Sequence, residues 1–202
     1  MGKVSSQTKY IAGIDESNHG KSPEYFVAVV SRRIKADSKI YDHMQRITDW
    51  EKLREVLNCP DRDFRYLTVE KETLDSYKRC DLVTDVYSQL IDSFHLDPHF
   101  LKVCIDGELR KSHKVLIEEE ISRGSGICPQ KIAVIGIQKN GTASTNFVIS
   151  LADSLASYCF RKRLADRDNI LKEITKDPKG QGRFLEEILH NEVQFIPKAL
   201  AA

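Results

Sequence analysis

Apolar residues fall into two kinds of run along the chain, and their alternation outlines an α/β fold. Short β-rich runs at Tyr10–Asp15, Tyr25–Arg32, Phe64–Val69, Leu101–Ile105 and Lys131–Ile137 predict five strands. The first two are joined by Glu16–Glu24, a loop of Ser, Asn, Gly and Pro that predicts a hairpin-like start. Helical spacing appears elsewhere. Thr48 with Glu51 forms a capping-box pattern for a helix to about Leu57, and Leu82, Val83, Val86, Leu90, Ile91 and Phe94 recur on one face of Asp81–Phe94. Lys111–Arg123 is a further helix, stopped by Gly124 and Gly126, and Ser144–Tyr158 another. Weaker helical segments at Asn169–Thr175 and Phe184–Leu189 flank Pro178–Gly182, which reads as a flexible loop. The order of strands and helices implies three antiparallel strands extended by two parallel ones through helical crossovers. Residues 1–168 would form this domain, with 169–202 a helical extension packed on it.

Charge is unevenly spread over these elements. Thirty per cent of the residues are charged, yet Asp153 is the sole charge in the twenty-one residues between Lys139 and Arg161. The helix there carries Phe147, Val148, Ile149, Leu151, Ala152, Leu155, Ala156 and Tyr158, which leaves little solvated face. A carboxylate in such a place must be protonated or hold a strong partner, a cation or a metal. Two strands also end on acids: Asp15 with Glu16 after the first, and Asp106 after the fourth. Strand ends hold side chains rigidly where they still meet solvent, so these separated acids are expected to converge.

The remaining composition mainly excludes. Thirty-one Lys and Arg against thirty Asp and Glu give a net charge of +1, so any nucleic-acid contact must come from a local patch. The candidates are Lys139 and the run Arg161-Lys162-Arg163 with Arg167; Lys111 and Lys114 are weaker ones. Five widely spaced cysteines lack the pairing of a zinc site or a disulfide framework, which fits reduced thiols and a cytoplasmic setting. No stretch reads as a membrane span or a secretory signal, and Gly2 matches only a loose myristoylation pattern.

Ile11-Ala12-Gly13-Ile14-Asp15-Glu16-Ser17-Asn18-His19-Gly20 resembles the opening motif of type 2 ribonuclease H, a strand ending Gly-(Ile/Val)-Asp-Glu-Ala-Gly-Arg-Gly. Ser17 stands for Ala, Asn18 for Gly and His19 for Arg. The element order is similar to the ribonuclease H-like fold, and the resemblance spans roughly residues 10–165. It implies that Asp15 and Glu16 bind catalytic metals. Asp106 in Cys104-Ile105-Asp106-Gly107 has the place of the family's third acid, and Asp153, after Ala143-Ser144, that of its fourth. It further implies that the loop with Asn18, His19 and Gly20 meets the substrate, an RNA–DNA hybrid, at the junction between ribonucleotide and deoxyribonucleotide; Lys139 and Arg161 are candidates for its phosphates on charge alone. Asp15-Glu16-Ser17 and Ala152-Asp153 also resemble an uncharacterised ribonuclease H-like family that opens Asp-Glu-Ser-Gly and carries an Ala-Asp pair on its last helix.

Four carboxylates without a Cys or His companion suit Mg²⁺ or Mn²⁺ better than zinc. Glu108 is a substitute ligand. Three readings stay open: a nuclease cutting the RNA strand of hybrids, a nuclease for DNA or single-stranded RNA, and a non-catalytic module that binds nucleic acid on the same fold.

Overall fold

The computed structural model describes residues 9–17, 22–32, 46–137 and 143–198, the side chains of 143–146 excepted. Five strands, β1 (Lys9–Ser17), β2 (Glu24–Ser31), β3 (Arg62–Val69), β4 (Phe100–Asp106) and β5 (Ile132–Ile137), form one sheet in the order β3-β2-β1-β4-β5. β1 is antiparallel to β2, and β2 to β3, whereas β1, β4 and β5 run parallel. This is the expected mixed sheet.

Side chains alternate across it with a period of two. On one face Tyr10, Ala12 and Ile14 of β1 join Phe26, Ala28 and Val30 of β2 beneath α3 (Arg79–Asp92) and α4 (Lys111–Ser125). On the other, Tyr25, Val27 and Val29 pack under α5 (Ala143–Lys162), together with α1 (Trp50–Leu57), α6 (Arg167–Lys176) and α7 (Gln181–His190). β2 is buried along its whole length because both faces are covered. Val148, Leu151 and Leu155 of α5 are at most 1% exposed, each burial contributing about 1.5–3 kcal/mol.

Local chemistry sets the helix ends, sometimes away from the sequence reading. α1 is capped by Asp49, whose Oδ1 accepts from the Lys52 amide at 2.9 Å, and not by Thr48. A short helix α2 (Lys71–Ser76) has no buried residue, so no apolar period announces it. The stretch read as a flexible loop is a pinned turn: Asp177 accepts from the amides of Gly180 (3.0 Å) and Gln181 (2.8 Å) and starts α7. Gly182 lets α7 approach α6, since a Cβ there would lie 2.3 Å from the Asp177 carbonyl oxygen. Beyond α7 the chain crosses the outer edge of β3, where the Tyr66 amide donates to the Asn191 carbonyl and the Val193 amide to that of Tyr66. Cys104 and Cys159 are buried free thiols. Among the described residues no helix is long and apolar enough to cross a membrane.

Candidate functional site

Strand alternation decides which acids can meet. Ile14 pairs with Ile105 at the end of the parallel β1–β4 ladder, and one residue further on come Asp15 of β1 and Asp106, the last residue of β4. Both lie on the face that α5 covers. Gly13 lets the helix in: a Cβ there would sit 2.4 Å from the Val148 carbonyl carbon and oxygen, so only glycine allows this crossing. Five residues beyond Val148, Asp153 is carried close enough to Asp15 for their charges to interact. Gly107, with φ +90°, turns the chain immediately after Asp106, and its amide donates to the Ile137 carbonyl at 3.0 Å.

Electrostatics reports the convergence. Burial pushes the Asp15 carboxyl up to about 8, and the negative charges of Asp153, Asp106 and Glu16 push the same way, against an opposing hydrogen bond from the Glu16 amide. That bond to Asp15 Oδ1 is 2.8 Å long. Two acids distant in sequence, Asp106 and Asp153, thus join the adjacent Glu16 in acting on Asp15 at one end of the sheet.

Two of the four have arginine partners. Arg46 Nε and Nη2 donate to Asp153 Oδ2 and Oδ1 at 2.8 and 2.5 Å, so the partner expected for this acid is an arginine. The Ile47 amide donates to Ser154 Oγ at 2.8 Å, which fixes this segment to α5. Glu16, one residue after Asp15, points to the opposite face of β1. There it accepts from Arg79 Nη2 at 2.6 Å and from the Tyr87 hydroxyl at 3.0 Å. Arg79 also grips both oxygens of Glu24, a fully buried carboxylate, at 2.5 and 2.7 Å. Burial, followed by the charge of Glu16, pushes the Tyr87 phenol well above its ordinary range, so it stays a donor.

A cleft of about 480 Å³ opens here, lined by Asp15, Glu16, Asp106, Glu108, Arg79 and His113 among others. Glu108 is an exposed residue of its wall, and His113 Nε2 lies 3.3 Å from Thr84 Oγ1. Among the described residues no three His, Cys, Asp or Glu side chains form a ready-made metal cage. The donor set of Asp15, Asp106 and Asp153 nevertheless fits a hard divalent cation. All three place carboxylates at one end of the sheet, Asp153 open to a cation once Arg46 releases it, and a cation's charge would offset the burial and the repulsion that raise Asp15. Glu16 as placed fits less well, since it points to the opposite face of β1, toward Arg79 and Tyr87.

Arg161 lies eight residues beyond Asp153 on α5, exposed, at a separate cleft of about 720 Å³. Asn18, His19, Gly20 and Lys139 lie outside the described residues, as does Gly2. Sequence reasoning missed Arg46, Arg79, Tyr87, Glu24 and His113. A buried acid opening a strand, Glu24, was the one available signal for a partner cation; the others sit in stretches with no motif.

The arrangement is similar to solved structures. Ribonuclease H2 from Pyrococcus horikoshii OT3 matches with a TM-score of 0.51 at 17% identity, over 84% of this chain and 78% of that one. The fold is ribonuclease H-like. Ribonuclease HII from Archaeoglobus fulgidus, in its complex with PCNA, gives 0.52 at 18% identity over 81% and 75%. Bst-RNase HIII, in complex with Mn²⁺, gives 0.50 at 13% identity over 85% of this chain and 57% of that one. No family model and no curated protein matches the sequence. At these identities the ribonuclease H-like likeness concerns the fold, and the chemistry rests on the residues themselves.

Proposed function

We propose that this chain is a divalent-metal-dependent nuclease that cuts the RNA strand of RNA–DNA hybrids. The observation that carries the reading is the convergence of Asp15, Asp106 and Asp153 at one end of a ribonuclease H-like sheet, with Asp15 pushed up to about 8 by burial and its acidic neighbours. Mg²⁺ or Mn²⁺ bound there would activate a water on one side of phosphorus and neutralise charge on the leaving oxygen. Asp15, Asp106 and Asp153 would hold the metal. For that, Asp15 must give up the proton that its burial, with the acids around it, makes it keep near neutral pH. Arg46 fixes both Asp153 oxygens, and Arg79 with Tyr87 fixes Glu16, so the acids stand in defined orientations before substrate arrives. The relatives' names support the substrate class: two solved structures of this fold are ribonucleases H2 or HII, and one is a ribonuclease HIII with Mn²⁺. The setting that fits this reading is the cytoplasm, with nucleic acid as partner.

A second reading is a non-catalytic nucleic-acid-binding module, favoured by the arginines that occupy Asp153 and Glu16. One experiment separates the two. Purified protein is incubated with Mg²⁺, and separately with Mn²⁺, against labelled RNA–DNA hybrid, duplex DNA with an embedded ribonucleotide, single-stranded RNA and duplex DNA. The proposal expects cleavage of the ribonucleotide-containing duplexes, abolished in Asp15→Asn and Asp153→Asn. A fully active Asp153→Asn protein would sink the metal assignment, and uncut substrates under both metals would leave the binding module.

A further inference from the structure

Helix α5 is buried nearly all round, yet Ser150, Asp153, Ser157, Phe160 and Arg161 are partly or fully open to solvent. The spacing of three, four and three residues places the first four on one stripe, with Arg161 beside its end. The stripe runs from the candidate catalytic acid to the end of the helix, about 10 Å away for the seven residues between Asp153 and Phe160. It ends in the 720 Å³ cleft, whose walls include Phe160, Arg161, Arg163, Tyr25 and Glu70.

Three features of this cleft need an occupant to explain them. Phe160 is 43% exposed at the end of a helix whose other aromatic rings, Phe147 and Tyr158, are buried. Arg161 and Arg163 have no carboxylate partner among the described residues, whereas their neighbours do: Lys162 pairs with Glu173 at 2.7 Å, and Arg167 with Glu192. The Asp166 carboxylate on the same wall is used to cap α6 through Asn169. Finally, Arg163 adopts φ +53° at the helix C-terminus, where the Leu164 amide reaches back to the Cys159 carbonyl. That left-handed position is one where glycine is ordinarily found. A long cationic side chain kept in a strained backbone conformation points to a role for the side chain.

We propose that this cleft binds an unpaired nucleotide of a single-stranded extension, its base stacked on Phe160 and its phosphates on Arg161 and Arg163. In the interior of a duplex both faces of each base are covered by neighbours, so away from a duplex end an exposed ring can stack only on a base that has left the helix. The two guanidiniums supply charge complementary to the backbone. The open stripe connects this subsite with Asp153 at a separation of about three base steps of a duplex. The substrate is accordingly a hybrid that carries a single-stranded flank near the cleaved bond. This rests on the nuclease reading above for its substrate class.

The test is binding by fluorescence anisotropy with divalent ions chelated, which keeps it independent of cleavage. Blunt RNA–DNA hybrid is compared with the same hybrid bearing a short single-stranded extension. Wild-type protein should bind the extended form about tenfold more tightly. Phe160→Leu, apolar but unable to stack, should lose that preference, and Phe160→Trp should keep it. Arg163→Gly should raise the thermal midpoint by relieving the backbone, yet weaken binding of the extended hybrid and reduce its salt slope by about one. A preference that survives Phe160→Leu, or equal losses on blunt and extended hybrids, would overturn the proposal. Wild-type protein that cuts hybrids but shows no preference for an extension removes this inference alone. Wild-type protein that binds neither hybrid overturns the inference, and the nuclease reading falls with it only where hybrids also stay uncut under both Mg²⁺ and Mn²⁺.

Discussion

Asp15 feels every other acid of the site, and its titration makes that load measurable. Its carboxyl lies near 8 in the folded chain against 3.8 for an unperturbed group. Between about pH 4 and pH 8 the unfolded chain therefore releases a proton that the folded chain retains. Stability of the cation-free protein should be greatest below about pH 4 as far as this group is concerned, fall through that window, and level off above about pH 8. Urea midpoints measured across this range in chelator should decline more steeply for wild type than for Asp15→Asn, which cannot ionise. Equal slopes would show that burial and the neighbouring acids do not raise the Asp15 carboxyl in solution. Arg79 is a different kind of residue. It neutralises fully buried Glu24 as well as reaching Glu16, so Arg79→Ala leaves a carboxylate without its counter-ion inside the protein. The expected loss is about 3 kcal/mol in denaturant unfolding, and a loss near zero would mean that Glu24 finds water or another cation.

Elements were legible in the sequence wherever burial imposed a period on them. α5 announced itself as a stretch nearly free of charge because most of its circumference meets β1, β2 or the neighbouring helices. Its one acid was legible for the same reason, while the partner was not: Arg46 is 107 positions away, in a stretch without periodicity. α2 escaped notice because none of its side chains is buried. The turn before α7 was misjudged because Pro and Gly signal a break in the helix and say nothing of the Asp177 carboxylate that holds the turn still. Gly13 shows how an element can depend on one missing atom. Its absent Cβ is the space that the Val148 peptide occupies, so Gly13→Ala should lift α5 from β1 at a cost of about 1–3 kcal/mol. Asp153 would move with the helix. Hybrid cleavage should then fall in kcat more than in KM, and an unchanged kcat would show that the acids tolerate the displacement.

At the scale of the whole molecule, the order of strands and helices was enough to foresee the sheet, because parallel strands require crossovers and the three leading strands do not. The two faces of the sheet are used unequally. One carries the cluster that repels itself around Asp15, and the other the arginine network around Glu16 and Glu24. A one-dimensional reading grouped Asp15 with Glu16 as neighbours, whereas the pleat sends them to opposite sides. The borders of the sheet have a further consequence. β3 is an outermost strand, and a single crossing of the chain at Asn191–Val193 engages the Tyr66 amide and carbonyl on its free side. Unengaged strand borders invite pairing with another copy. A chain cut after His190 should therefore self-associate, growing in hydrodynamic size with concentration in light scattering, while the full chain keeps its size. A cut chain that stays monomeric would transfer that protective role to Arg62, Asp63 and Arg65, the charged residues of the same strand. On this view the last turns of polypeptide protect colloidal behaviour, and their removal would be felt in the test tube before any change at the acids.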